Sequence, residues 1–345
     1  MIKKINGDRL HSYIVKNVAP KLSFDENCDY NEWREKIKSK LTELLGLDII
    51  AENACPTNID IEETVEFDTY TRIRLTYESE KENLVPAYLL LPKKEGKFPL
   101  AIALQGHSTG FHISIGEKKF DVDEKSIESS TFGLQAVENG FAVLCIEQRG
   151  MGETRSPLYP GPGGVHACCF TAMTAVNLGR TVIGERVWDV SRGIDALETL
   201  AYDCIDLSKI VILGNSGGGT ATFYAGCCDE RIGIVAPSCS FCSYEASIMS
   251  ILHCVCNNIP QASRWFEMED LSCLIAPRRL AVLTGRLDDI FPLAGVEKSY
   301  ETVKKIYAKA GVPDNCSITV MPKAHYWCKD EAWETINNVK EQLGW

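Results

Sequence analysis

Six short, mostly apolar runs punctuate this sequence: Leu100–Leu104, Phe141–Ile146, Ile210–Leu213, Ile232–Ala236, Leu280–Thr284 and Ser317–Met321. Helical patterns lie between them, among them Glu185–Ala201, Gly217–Cys227 and Leu293–Ala310. A strand that is apolar at nearly every position needs cover on both faces, which crossover helices on either side of a parallel sheet provide. The expected class is α/β, with a mostly parallel central sheet flanked by helices. No repeat or linker divides the 345 residues, so one domain is expected over 1–345.

Two segments precede the alternation. Residues 1–55 read as a polar N-terminal helical cap, clearest over Asn31–Gly46. There Trp33, Ile37, Leu41, Leu44 and Leu45 recur at helical spacing and Gly46 is a natural stop. From Glu62 to Pro92 the period becomes two. Val65, Phe67 and Tyr70 lead into Ile73–Tyr77, and Leu84–Leu91 follows, which predicts two strands joined by a polar turn. The long connections over 107–130, 151–184 and 238–277 are expected to be insertions near a functional site.

Gly-x-Ser-x-Gly occurs twice, at Gly106-His-Ser-Thr-Gly110 and Gly214-Asn-Ser-Gly-Gly218. With 26 glycines in the chain, roughly 0.1 matches would arise by chance. Context separates them. Ser216 follows Ile210–Leu213 and precedes a run of small residues, the strand–turn–helix setting that exposes a nucleophilic serine. Ser108 follows a strand but leads into a polar loop. That loop suits a second role. Acyl transfer needs backbone N–H groups aimed at the developing oxyanion, one after the nucleophile and one from the loop after an earlier strand. Gly217 and His107 are the expected donors.

A nucleophilic serine needs a base, and the base needs an acid to orient it. Only His253 and His325 follow Ser216. His325 comes just after the last strand candidate and is the expected base, while His253 reads as structural or at the pocket rim. The acid belongs at the end of the Leu280–Thr284 strand, where Asp288 and Asp289 stand side by side. Asp288 is preferred, with Asp289 expected to cap the next helix.

In this order these residues resemble the α/β-hydrolase superfamily, more closely its acetyl-xylan-esterase-like and dienelactone-hydrolase-like branch. The resemblance covers nearly the whole chain. It rests on Phe98–His107, Glu147-Gln-Arg-Gly-Met-Gly-Glu153, Val187–Leu200, Gly214–Thr220 and Gly285–Pro292. It implies a serine carboxylic-ester hydrolase acting through an acyl-enzyme, with Ser216, Asp288 and His325 as triad and acetyl or other small acyl groups on a carbohydrate or similar alcohol as substrate. Four positions depart from relatives. Gln105 replaces a histidine, and Glu147 replaces the usual aspartate of its turn. Ser216 stands where dienelactone hydrolases have cysteine. Gly217 stands where glucuronoyl esterases have arginine. A prolyl-oligopeptidase-type peptidase shares the triad order but would need a propeller-sized N-terminal domain. A non-catalytic ligand-binding homologue would not need the intact triad.

Aromatics near the presumed mouth are Phe241, Tyr244, Trp265, Phe266, Tyr326 and Trp327. Trp327, two residues from His325, is the expected substrate contact, together with Gln105. Arg149 reads as a tie between loops rather than a substrate contact.

A net charge of −11 speaks against a nucleic-acid partner, and no run approaches the ~20 apolar residues of a membrane span. A small-molecule ester is the expected partner; whether the chain forms a homo-oligomer stays open. The fifteen cysteines read as buried thiols of a reducing compartment, and the N-terminal residues show no apolar stretch, so a cytoplasmic protein is expected. His253-Cys-Val-Cys256 has zinc-ligand residue types, but no fourth ligand stands at finger or ribbon spacing. With Cys239, Cys242 and Cys273 nearby it reads as a packed thiol-rich loop, so no metal and no organic cofactor is expected.

Overall fold

The computed structural model describes residues 8–164 and 166–345. Among the described residues nine strands form one sheet. They are β1 (Ile59–Glu66), β2 (Tyr70–Glu80), β3 (Asn83–Pro92), β4 (Phe98–Leu104), β5 (Ala142–Ile146), β6 (Ile205–Asn215), β7 (Ile232–Ser238), β8 (Arg279–Gly285) and β9 (Cys316–Met321). Their order across the sheet is β1-β2-β3-β5-β4-β6-β7-β8-β9. The pairs from β1 to β3, and β3 with β5, are antiparallel; every pair from β5 to β9 is parallel.

All six apolar runs are strands. The segment before them holds three strands rather than the expected two. The extra one, β1, is a mostly exposed edge strand carrying Asp60, Glu62, Glu63 and Glu66. Its acidic residues hide the period-two signal and discourage edge-to-edge pairing with another chain.

The helices are α1 (Arg9–Asn17), α2 (Tyr30–Leu45), α3 (Leu47–Ala51), α4 (Asp123–Ser130), α5 (Phe132–Glu138), α6 (Cys169–Asn177), α7 (Val182–Leu200), α8 (Gly217–Cys228), α9 (Leu293–Lys309) and α10 (Lys329–Gln342). Strand alternation sorts them into two layers. Leu100, Ile102 and Leu104 of β4 join a core with residues of α2, α7, α8 and α9. Ala101 and Ala103, pointing the other way, join a core with residues of α5 and α10. No helix among the described residues is long and apolar enough to cross a membrane.

Helix α2 shows how the N-terminal segment attaches. The Asp29 carboxylate accepts from the Glu32 N–H at 3.0 Å, and Gly46 ends the helix at φ +74°. Trp33, Ile37, Leu41 and Leu45 form its buried stripe. Ile37→Ala should therefore lower stability by about 2–5 kcal/mol, the usual cost of a buried isoleucine truncation. Urea unfolding of variant and wild type checks this, and a change below about 1 kcal/mol would mean that α2 is only loosely attached.

Candidate active site

Ser216 occupies the turn between β6 and α8, with φ +58° and ψ −126°. A non-glycine residue in such a conformation costs of order 1–3 kcal/mol and persists only when its surroundings hold it there. The Ser216 N–H donates to the Ser238 carbonyl at 2.9 Å. Two glycines complete the clamp. A Cβ on Gly218 would lie 2.2 Å from the Leu104 carbonyl oxygen and 2.7 Å from that of Gln105. A Cβ on Gly106 would lie 2.7 Å from the Asn215 carbonyl oxygen and 3.2 Å from the Ser216 Cβ. The two Gly-x-Ser-x-Gly turns thus interlock backbone to backbone.

Asp288 follows β8 and His325 follows β9. His325 Nδ1 lies 2.9 Å from Asp288 Oδ2. The other oxygen, Oδ1, accepts from the N–H groups of Ile290 and Phe291 at 2.9 and 3.0 Å. Burial pushes the Asp288 carboxyl up, but these hydrogen bonds, led by the one from His325, hold it below the usual aspartate range. Asp289 is exposed, and α9 is preceded by Pro292 without a side-chain cap, so Asp289 does not cap that helix. Phe291 stacks on the His325 ring at 5.9 Å. His325 Nε2 is buried and has no hydrogen-bond partner among the described residues.

Ser216 and His325 line one cavity of about 360 Å³. Gly106, His107 and Asn215 also line it. The N–H groups of His107 and Gly217 make no hydrogen bond among the described residues. Lys125, Ser126 and Ser129 of α4 contribute polar lining, and Ile251, Leu252 and Ile290 apolar lining. Of the six aromatics expected at the mouth, only Tyr326 and Trp327 line the cavity. Phe241, Tyr244 and Phe266 are buried in the main core, and Trp265 lies under the ammonium groups of Lys21 and Lys40. Period and proximity in sequence do not tell a core aromatic from a cavity one.

Gln105 and Trp327 both reach the cavity, but the side-chain N–H donors of both are already engaged. Gln105 Nε2 donates to Ser114 Oγ at 2.7 Å and to the Ser130 carbonyl at 2.6 Å, anchoring the connection that carries α4. Trp327 is 1% exposed, and its N–H donates to Gln135 at 3.0 Å. Tyr326, at 37%, is the more accessible ring. His253 lines the cavity, and burial pulls its imidazole down to about 4. Cys254 and Cys256 do not assemble with it. They meet His107 and Cys168, which nothing in the sequence groups with them.

Behind the site, the Arg149 guanidinium bonds Asp189 at 2.7 and 2.8 Å and Glu80 at 2.5 Å, the expected tie between loops. Glu147 Oε2 accepts from the N–H groups of Glu153 and Phe111, at 3.1 and 3.4 Å. Burial raises its carboxyl to about 7.

No family model matches the chain. Its sequence is 25% identical to YtaP of Bacillus subtilis (strain 168), provisionally named a hydrolase, over 245 residues; the match covers 70% of this chain and 78% of that protein. A 4-O-methyl-glucuronoyl methylesterase of Phanerochaete carnosa (strain HHB-10118-sp) is 25% identical over 205 residues, 52% of this chain and 49% of the relative. Among solved structures, a Bacteroides fragilis NCTC 9343 protein provisionally named an acetyl xylan esterase superposes with a TM-score of 0.78 at 15% identity, covering 99% and 96% of the two chains. A glucuronoyl esterase from Solibacter usitatus superposes with a TM-score of 0.67 at 15% identity, covering 94% and 97%. The fold is that of an α/β-hydrolase.

Two outcomes test this site. Gly218→Ala should destabilise the protein by about 3 kcal/mol or more, because backbone rather than a mobile side chain opposes the new methyl; thermal unfolding reads it. Glu147 binds its proton more tightly folded than unfolded. Its stabilising share is complete below the unfolded value of ~4.3 and fades as pH rises to about 7. Glu147→Gln should therefore gain stability relative to wild type between about pH 5 and pH 8. Urea midpoints that move in parallel over that range would show the carboxyl is already ionised.

Proposed function

We propose that this chain is a serine carboxylic-ester hydrolase that removes small acyl groups, acetyl foremost, from a carbohydrate or similar alcohol. One observation carries the reading. Ser216, on its positive-φ turn, shares a cavity with an imidazole whose Nδ1 is held by Asp288 and whose Nε2 has no partner.

In this reading Ser216 Oγ attacks the ester carbonyl carbon while His325 Nε2 takes its proton. Asp288 holds His325 in the tautomer with its proton on Nδ1 and stabilises the imidazolium that forms. The carbonyl oxygen, now negative, accepts from the N–H groups of His107 and Gly217, whose donors are otherwise unused. The tetrahedral intermediate collapses, the C–O bond to the alcohol breaks, and His325 returns the proton to the leaving oxygen. Water then repeats the sequence on the acyl-enzyme and frees Ser216.

The esterases among the similar proteins support this chemistry, and the cavity supports the substrate class. Its lining combines Ser126 and Ser129 of α4 with apolar Ile251, Leu252 and Ile290, which suits a polar alcohol joined to a small acyl group. Gly217 separates the site from glucuronoyl esterases. The His107 ring fills the space a side chain would need, and a Cβ at 217 would sit 2.7 Å from its Cε1. Fifteen cysteines, none in a disulfide, support a cytoplasmic setting.

Hydrolysis of p-nitrophenyl esters of increasing acyl length tests the proposal. Turnover should favour acetyl and propionyl. Ser216→Ala should lower kcat by ~10⁴–10⁶ and Asp288→Asn by ~10⁴, as for other triads. Near wild-type turnover by Ser216→Ala would reject the mechanism. Cleavage of peptide amides without any ester turnover would point to a peptidase. A tightly held ligand that is never turned over would point to a binding protein.

A further inference from the structure

Three connections over the cavity converge at one point. His107 comes from the turn after β4, Cys168 from the residue before α6, and Cys254 and Cys256 from the segment between β7 and β8. His107 Nε2 and the three Sγ atoms all lie within 4.8 Å of one another. His107 Nε2 is 3.1 Å from Cys256 Sγ and 3.6 Å from Cys168 Sγ. Cys254 Sγ is 3.2 Å from Cys168 Sγ and 3.5 Å from Cys256 Sγ.

These separations match a tetrahedral ligand cage. With Zn–S near 2.3 Å and Zn–N near 2.0–2.1 Å, tetrahedral angles place S···S at about 3.8 Å and S···N at about 3.6 Å. Each observed distance falls within roughly 0.6 Å of those values. Ordinary buried thiols behave as small apolar groups scattered among aliphatic neighbours, as Cys145 and Cys273 do in the two main cores. Here the sulfurs meet one another and an imidazole nitrogen.

A second observation concerns charge. Arg186, on α7, is 2% exposed, and no carboxylate among the described residues lies within ion-pair distance of it. Its guanidinium donates to the Arg149 carbonyl at 2.8 and 3.2 Å and to Cys256 Sγ at 3.5 Å. A buried cation without a counter-charge is costly. Three thiolates, one neutral imidazole and one divalent cation together carry a single negative charge, which Arg186 would balance.

We propose that His107, Cys168, Cys254 and Cys256 bind one zinc ion. Binding displaces the three thiol protons to solvent, and each sulfur becomes a thiolate ligand. Four protein ligands close the coordination sphere, so the ion is structural and activates no water. Its role follows from His107. The imidazole belongs to the zinc cage, while its ring covers Gly217 and its backbone adjoins Gly106, which packs on Ser216. The ion therefore pins the turn after β4 against the nucleophile turn and staples two insertions to the same point. His107 and Cys254 both line the cavity, so the cage is also part of its wall. His166, Cys169 and Cys254 form a second possible ligand group. That group shares Cys254 and includes an exposed histidine, so it cannot be a second independent closed site.

The test reads metal, not ester hydrolysis, so it stands apart from the esterase proposal. Full-length protein is purified under reducing conditions without chelator and analysed by inductively coupled plasma mass spectrometry. Wild type, and Cys273→Ser as a control for a buried thiol outside the cage, should carry on the order of one zinc per chain. The double variant Cys254→Ser/Cys256→Ser should carry less than about a tenth of that. Cobalt replacing zinc should give the intense visible bands of a tetrahedral thiolate site. Should the double variant fail to fold, cobalt titration of the wild type decides alone. Wild type that is free of zinc and takes up neither metal when reduced would overturn the proposal. So would zinc retained in the double variant, or a Cys168–Cys254 disulfide in wild type alkylated at lysis.

Discussion

The carbonyl oxygens of Leu104 and Gln105, at the C-terminal end of β4, press so closely on Gly218 of the β6–α8 turn that no side chain fits between them. Gly106 returns the contact against Asn215 and Ser216. β4 and β6 are neighbours in the parallel part of the sheet, so their ends emerge side by side. This backbone contact positions the serine hydroxyl and the N–H groups beside it. It also explains why the chain contains the same five-residue pattern twice. One copy presents Ser216, and the other supplies the surface that the first is pressed against. The strain of a positive φ at Ser216 is tolerable because both sides of the turn are held.

The charged groups behind the site work toward the same end. Arg149 draws Glu80 of β2 and Asp189 of α7 to the turn after β5. Arg186 grips the Arg149 carbonyl from the same helix. Buried ion pairs add little net stability over a well-packed apolar alternative, but breaking one is expensive. Their effect here is to allow the 147–153 turn one position. Glu147, Gly110 and Gly152 meet in that turn, which connects it to the loop carrying His107.

Much of this was legible in the residues. Continuous apolar strands identified the parallel sheet, since burial on both faces leaves no polar alternation. Ser216 stood out from Ser108 because a helix of small residues followed it. β1 was not legible, because an edge strand studded with acids carries little apolar period. Asp288 and Asp289 differ in sequence only by one position. In the structure one is buried under the amides of Ile290 and Phe291 and the other is exposed. The aromatics of the 238–277 segment were legible as apolar but not as core, because their partners come from α2, α8 and α9.

By itself the sequence determined the layer architecture and the two glycine-rich turns that meet beside Ser216. These depend on local period and on the chain order of strand ends, which one dimension records. Only the tertiary structure decided which thiols face one another. Cys168 and Cys254 are 86 residues apart in sequence, and Cys168 and His107 are 61 apart. No spacing rule spans such intervals, because the intervening chain passes through the sheet and back. Their encounter is set by where three separate connections leave the C-terminal ends of β4, β5 and β7, which lie close together in the sheet.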